Sequence, residues 1–126
     1  MGHVLVIDDD PTIRSLVVGL LEANGHRFVQ AVDGRAGIAL FAEGGFDLVV
    51  TDIVMPEQEG IETIAAIRRV NRAVPILAIS GSATIGGMGD YLRAAAALDA
   101  SATLKKPFAP EAFVATIERL FGGPAP

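Results

Sequence analysis

Three consecutive carboxylates, Asp8, Asp9 and Asp10, close the stretch VLVIDDDP, and a further one, Asp52, follows apolar residues in LVVTDIVMP. Further along, Ser80 stands in LAISG and Lys106 in LKKPF. If a fold gathered Asp8, Asp9 and Asp52 at one place, they would repel one another and their pKa values would rise unless a cation intervened. These loops offer oxygen donors and neither His nor Cys, so the fitting cation is a hard one such as Mg2+, which keeps several waters and takes a phosphoryl oxygen as a further ligand. Phosphoryl transfer needs an in-line nucleophile, a metal, and positive charge against the equatorial oxygens. An Asp carboxylate can be that nucleophile, forming an aspartyl phosphate. Lys106 offers a mobile point charge for phosphate, and Ser80 a hydroxyl hydrogen bond. Taken singly, each has a plainer reading: an Asp after a strand often caps a helix, Ser-Gly often turns the chain, and a Lys before Pro is often solvated. Asp10 is expected to be only such a cap.

For these groups to meet, each must follow a strand of one sheet. Val4 to Ile7, Leu48 to Val50 and Ile76 to Ile79 are short, β-branched apolar runs, as strands covered on both faces are. Phe28 to Val32 is broken by Gln30 and Ala102 to Leu104 is short, so both read as edge strands. Between them Ile13, Leu16, Val17, Leu20 and Leu21 form a core-facing helical stripe, with Asp10 as N-cap, Pro11 at the first helical position and Asn24-Gly25 as the stop. Phe113, Val114, Ile117, Leu120 and Phe121 repeat the stripe after Pro110, and Gly122-Gly123 ends it. Residues 35–43 and 60–71 read as two further helices, and Asp90 to Leu98 as another, approached through the glycine-rich TIGGMG. Alternating strand and helix implies a parallel sheet with right-handed crossovers, a doubly wound α/β fold. Ligands in such sheets sit beyond the carboxyl ends of the strands. Asp8 to Asp10, Asp52, Ser80 and Lys106 all occupy that rim. Lys105 and Lys106, the two lysines of the chain, point to opposite faces by strand alternation, so one reaches the site while the other is solvated.

The 126 residues suit one domain, and 51% hydrophobic against 20% charged residues is a globular balance. The absence of cysteine removes disulfides, thiolate metal sites and cysteine nucleophiles. No apolar run approaches the roughly 20 residues of a membrane span, and MGHVLVIDDD has no signal-peptide pattern, so a cytoplasmic location with no membrane contact is expected. A net charge of -5, with no basic cluster beyond Arg68, Arg69 and Arg72, argues against direct nucleic-acid binding.

Over its whole length the chain resembles the receiver domains of two-component response regulators, of which the chemotaxis regulator CheY is an example. The likeness rests on VLVIDDDP, LVVTDIVMPEQEG, LAISG and LKKPF, in the family's order and spacing. It implies a flavodoxin-like five-stranded parallel sheet in the order 2-1-3-4-5. It implies phosphorylation of Asp52 by a histidine kinase or histidine phosphotransfer protein. It further implies that Asp8 and Asp9 organise Mg2+, that Val54 lends the metal a backbone carbonyl, and that Ser80 and Lys106 hold the phosphoryl group. The Lys106-Pro107 bond is expected to be cis. Such a protein modifies itself rather than a separate substrate and is not an enzyme in the usual sense. With residues 1–121 as the domain and 122–126 as a tail or linker stub, its signal would pass by docking to another, unnamed protein.

The chain also departs from the pattern. Where many receivers carry a switching aromatic on the last strand, Thr103 stands here, so the expected switch is Ser80 with Thr103 in the aromatic's place. Tyr91 is expected to pack, and phosphorylation is expected to reorder residues 82–90 through Ser80. Two alternatives keep the same residues. Asp8, Asp10 and Thr12 form a DxDxT resembling the nucleophile motif of haloacid-dehalogenase-type phosphatases, a family that also wants an acidic pair after its lysine, whereas only Glu111 and Glu118, both on the last helix, follow Lys106 here. A receiver-like module that binds partners without phosphorylation is the other. A P-loop is excluded because GSATIGGM lacks the Lys-Ser/Thr. Ser80 has no nearby base for hydrolase chemistry, and His3 and His26 are expected at surface or packing positions.

Overall fold

The computed structural model describes residues 2–52, 59–80 and 100–122, with the side chains of residues 59–61 and 80 left aside. The elements are β1 (His3–Ile7), α1 (Pro11–Ala23), β2 (Arg27–Ala31), α2 (Gly34–Ala42), β3 (Leu48–Asp52), α3 (Glu59–Val70), β4 (Ile76–Ser80), β5 (Ala102–Lys105) and α4 (Pro110–Gly122). The helix expected over Asp90 to Leu98, the packing of Tyr91 and the reordering of residues 82–90 lie outside the described residues.

All strand pairs are parallel and the order is β2-β1-β3-β4-β5. The continuous apolar runs are the three central strands, and the interrupted and short ones are the edges. Expected and observed bounds differ by one or two residues. The largest difference in environment is at Val32, which falls beyond β2 and is 55% exposed.

Strand alternation divides the core into two layers. Leu5, Ile7, Val49, Ile76 and Ala78 face one side, where Phe41 of α2 and Ile64 and Ile67 of α3 cover them. Val4, Val6, Leu48, Val50, Leu77 and Ile79 face the other, under Val17 and Leu21 of α1 and Phe113 and Ile117 of α4. Burying both faces explains why these strands read as unbroken apolar runs. α2 lies so close to β1 that a Cβ at Gly37 would run into the Ile7 side chain, which is why a glycine stands on that face.

Two local devices aim the first acidic loop. Asp10, extended at φ -93°, caps α1 by accepting from the Thr12 amide at 2.9 Å, and Pro11 opens the helix. The helix ends at Asn24, after which Gly25 turns at φ 83° into β2.

Candidate functional site: an acidic rim with one lysine

β1 and β3 are adjacent, with Ile7 in register with Thr51, so the residues that follow, Asp8 and Asp52, emerge side by side. Both are 3% exposed. Asp9, exposed, completes a trio whose carboxylate oxygens lie within 4.8 Å of one another. Asp8 continues the sheet through its amide, which donates to the Ala31 carbonyl at 3.1 Å, and its Oδ1 accepts from the Asp10 amide at 2.8 Å. Arg14 of α1 reaches back to donate from Nη1 to the Asp8 carbonyl at 2.8 Å. Asp10 turns to its own helix, as expected of a cap.

The cation comes from the end of β5. Lys106, part-buried, places Nζ 3.1 Å from Asp52 Oδ2 and 3.9 Å from Asp8 Oδ2, while Lys105 is exposed. The Lys106-Pro107 peptide is cis, as expected. Ser80 ends β4 in register with Lys105, on the same rim. Thr103, on β5 opposite Ala78, is exposed. Val54 lies outside the described residues.

The electrostatics add burial to the repulsion expected from sequence. The Asp8 carboxyl is pushed up from 3.8 to about 6, chiefly because burial penalises its charge. The Asp10 amide opposes this, Asp52 adds to it by repulsion, Lys106 opposes it and Asp9 adds a smaller push. The repulsion expected from sequence is present, but burial is the larger cause. Among the described residues, three carboxylates, two of them buried, gather beside a single ammonium. That donor set, all oxygen and with one member costly to ionise, fits a divalent hard cation and would be neutralised by it.

The family model for the response regulator receiver domain matches residues 4–118. The chain belongs to that family. Receiver domains as a family accept phosphoryl groups in two-component signalling and interact with histidine kinases and downstream effectors. The chain is 33% identical over 120 residues to response regulator MprA of Mycolicibacterium vanbaalenii, covering 94% of this chain and 49% of that protein. It is 34% identical over 124 residues to the DNA-binding dual master transcriptional regulator RpaA of Synechocystis, covering 95% of this chain and 49% of the relative. The receiver therefore spans about half the length of these two relatives. Among solved structures, chemotaxis protein CheY4 of Vibrio cholerae superposes with a TM-score of 0.83 at 31% identity, over 95% of this chain and 98% of that one. A receiver domain protein from Clostridium thermocellum gives 0.86 at 25% identity, over 97% and 95%. No helix among the described residues is long and apolar enough to cross a membrane.

Two features of the described residues were not foreseen from sequence. Arg14 lies on α1 outside the apolar stripe that, with the cap and stop, carried the helix reading, and nothing in its spacing announces a bond back to Asp8. His26 donates from Nε2 to Glu118 Oε2 at 2.8 Å and accepts the Gly2 amide on Nδ1 at 3.0 Å. Partners 92 residues apart leave no local signal. The packing role expected of His26 is met, since its ring stacks on Phe121 with centroids 4.7 Å apart. The same bond occupies Glu118 at the sheet's far end, away from the acidic trio.

Proposed function

We propose that Asp52 is the phosphoacceptor of this receiver, that Asp8 and Asp9 with Asp52 hold Mg2+, with Asp9 the leading side-chain ligand beside it, and that Lys106 pairs with the arriving phosphoryl group. The observation that carries this reading is the convergence of Asp8, Asp9 and Asp52 within 4.8 Å with Lys106 Nζ 3.1 Å from Asp52. In the step, a carboxylate oxygen of Asp52 attacks phosphorus in a phosphohistidine. The new P–O bond forms as the P–N bond breaks, and the imidazole nitrogen leaves with the electron pair and takes up a proton. Lys106, already beside Oδ2, would follow the charge from the carboxylate onto the phosphoryl oxygens. Bound Mg2+ would supply the remaining positive charge for those oxygens. The carbonyl of Val54 and the hydroxyl of Ser80 belong to the same proposal, the first as a metal ligand and the second as a phosphoryl contact and, with Thr103, as the switch.

The partners of such a site are a histidine kinase or histidine phosphotransfer protein and a downstream protein, in the cytoplasm. The net charge of -5 supports protein rather than nucleic-acid contacts by this chain itself. The domain would span residues 1–121, with 122–126 as tail or linker stub. Against a dehalogenase-type phosphatase stand two observations: Asp10, the second acid of DxDxT, caps α1, and Glu118 is hydrogen-bonded to His26. Incubation with a radiolabelled phosphohistidine donor should label the protein in Mg2+, and Asp52→Asn should abolish the label. Undiminished labelling of that variant would refute the assignment.

A further inference from the structure

The Asp8 carbonyl is part of the peptide that joins Asp8 to Asp9, so that one peptide plane carries two of the three clustered carboxylates on its flanks. A change in ψ of Asp8 or φ of Asp9 that the other does not compensate turns one side chain relative to the other and alters their approach to Asp52. Two sides of the turn are already tied, by the Asp8 amide on Ala31 and by the Asp10 amide on Asp8 Oδ1. The carbonyl itself is tied by Arg14, whose half-buried side chain reaches back from α1 and donates from Nη1 at 2.8 Å. The backbone amide of Arg14 makes the first helical bond, to Asp10 at 3.0 Å, so its Cα is fixed in the same unit.

We infer that Arg14 is a positioning residue for the acidic trio: by gripping the Asp8–Asp9 peptide it fixes the mutual angle of two carboxylates, and so strengthens divalent-cation binding. This rests on the proposed reading of Asp8, Asp9 and Asp52 as the Mg2+ site. The inference makes a prediction of definite sign, because charge and positioning oppose each other. A guanidinium near a cation site repels the cation, so if Arg14 acted only by its charge, removing it would tighten Mg2+ binding. If it acts by holding the peptide, removing it weakens binding, as loss of hydrogen-bonded supports behind metal ligands does.

The test is a titration of the full chain with MgCl2, followed by calorimetry and by the thermal unfolding midpoint, for the wild type, Arg14→Met and Arg14→Lys. Arg14→Met, which keeps the apolar stem and loses the donor, should weaken Mg2+ binding by about tenfold, at the low end for such supports. Arg14→Lys, which can still donate to the carbonyl, should recover to within about threefold of wild type. In the metal-free protein the Asp9 amide resonance should move in the Met variant and return towards wild type in the Lys variant. Should Arg14→Met fail to fold, Arg14→Gln, too short to reach the carbonyl, should show the same weakening. Unchanged or tighter Mg2+ binding by the Met or Gln variant overturns the inference and leaves the site assignment standing. A wild-type chain that binds no Mg2+ overturns both.

Discussion

The two ends of the parallel sheet are built from the same strands and put to opposite use. Gly2, His26, Asp47 and Pro75, each the residue just before one of β1 to β4, line a pocket at the amino edge together with Glu118, Leu120 and Phe121. Asp8, Asp52, Ser80 and Lys106 end or follow strands at the carboxyl edge, about 15 Å away along five-residue strands. At the amino edge, polar groups meet complementary partners. His26 is bonded through both ring nitrogens, Asp47 Oδ2 accepts the His3 amide at 2.9 Å, and the Gly2 amide goes to His26. Packing there is tight enough that a Cβ at Gly2 would strike the Phe121 ring. At the carboxyl edge, among the described residues, three carboxylates gather beside one ammonium and burial makes Asp8 reluctant to ionise. The amino edge puts its polar groups into hydrogen bonds that support the fold, whereas the described residues of the carboxyl edge gather an excess of acidic groups, as the proposed metal site requires.

The contrast is broken most severely at Asp8. Asp8→Asn keeps an acceptor for the Asp10 amide but removes the buried charge, so Mg2+ affinity should fall at least about 100-fold, measured by calorimetry. The metal-free variant should nevertheless gain about 2 kcal/mol of stability at pH 7.5 in urea unfolding, because a burial penalty has been lifted. A loss of metal-free stability would contradict the electrostatic account. At the other edge the signs reverse. His26→Ala should cost about 2 kcal/mol, through the lost stack on Phe121 and an unpartnered Gly2 amide, while Mg2+ affinity and labelling stay within about twofold of wild type.

pH sharpens the same comparison. The folded pKa of Asp8 is raised from 3.8 to about 6, so its protonated form contributes stability that is fully present below 3.8 and lost as pH rises through about 6. In the metal-free protein this contribution, on the order of 2–3 kcal/mol, should disappear in Asp8→Asn when denaturation is followed between those pH values. Mg2+ binding requires the ionised carboxylate, so apparent affinity should fall as pH drops below about 6, by up to about tenfold per unit. The smallest effect belongs to Glu118, which is half exposed. Glu118→Gln retains an acceptor for His26 and should change stability by less than about 1 kcal/mol.

Much of this was legible before the fold was known, for identifiable reasons. Strands buried on both faces write themselves as continuous apolar runs, hence β1, β3 and β4 at the centre and the broken β2 and short β5 at the edges. The Asp10 cap, Pro11 and the Ile13 to Leu21 stripe are local signals, and α1 follows them. Asp8, Asp9, Asp52 and Lys106 were legible as a group because a parallel sheet delivers all strand ends to one rim. What was not legible depends on side-chain reach and distant pairing. The Arg14 bond to the Asp8 carbonyl needs a particular path over a helix turn, and the His26–Glu118 bond joins the start of β2 to α4. The balance of causes behind the Asp8 shift depends on the fold, since burial cannot be ranked against repulsion from residue types alone.

The central claim is that the acidic rim lets one side chain, Asp52, carry phosphate. It is tested most directly by locating the phosphoryl group. After reaction with a phosphohistidine donor in Mg2+, borohydride reduction converts an aspartyl phosphate to homoserine, and peptide mass mapping reads its position. The account predicts homoserine at residue 52 and none when Mg2+ is chelated. Homoserine at residue 8, or none anywhere with Mg2+ present, would contradict it.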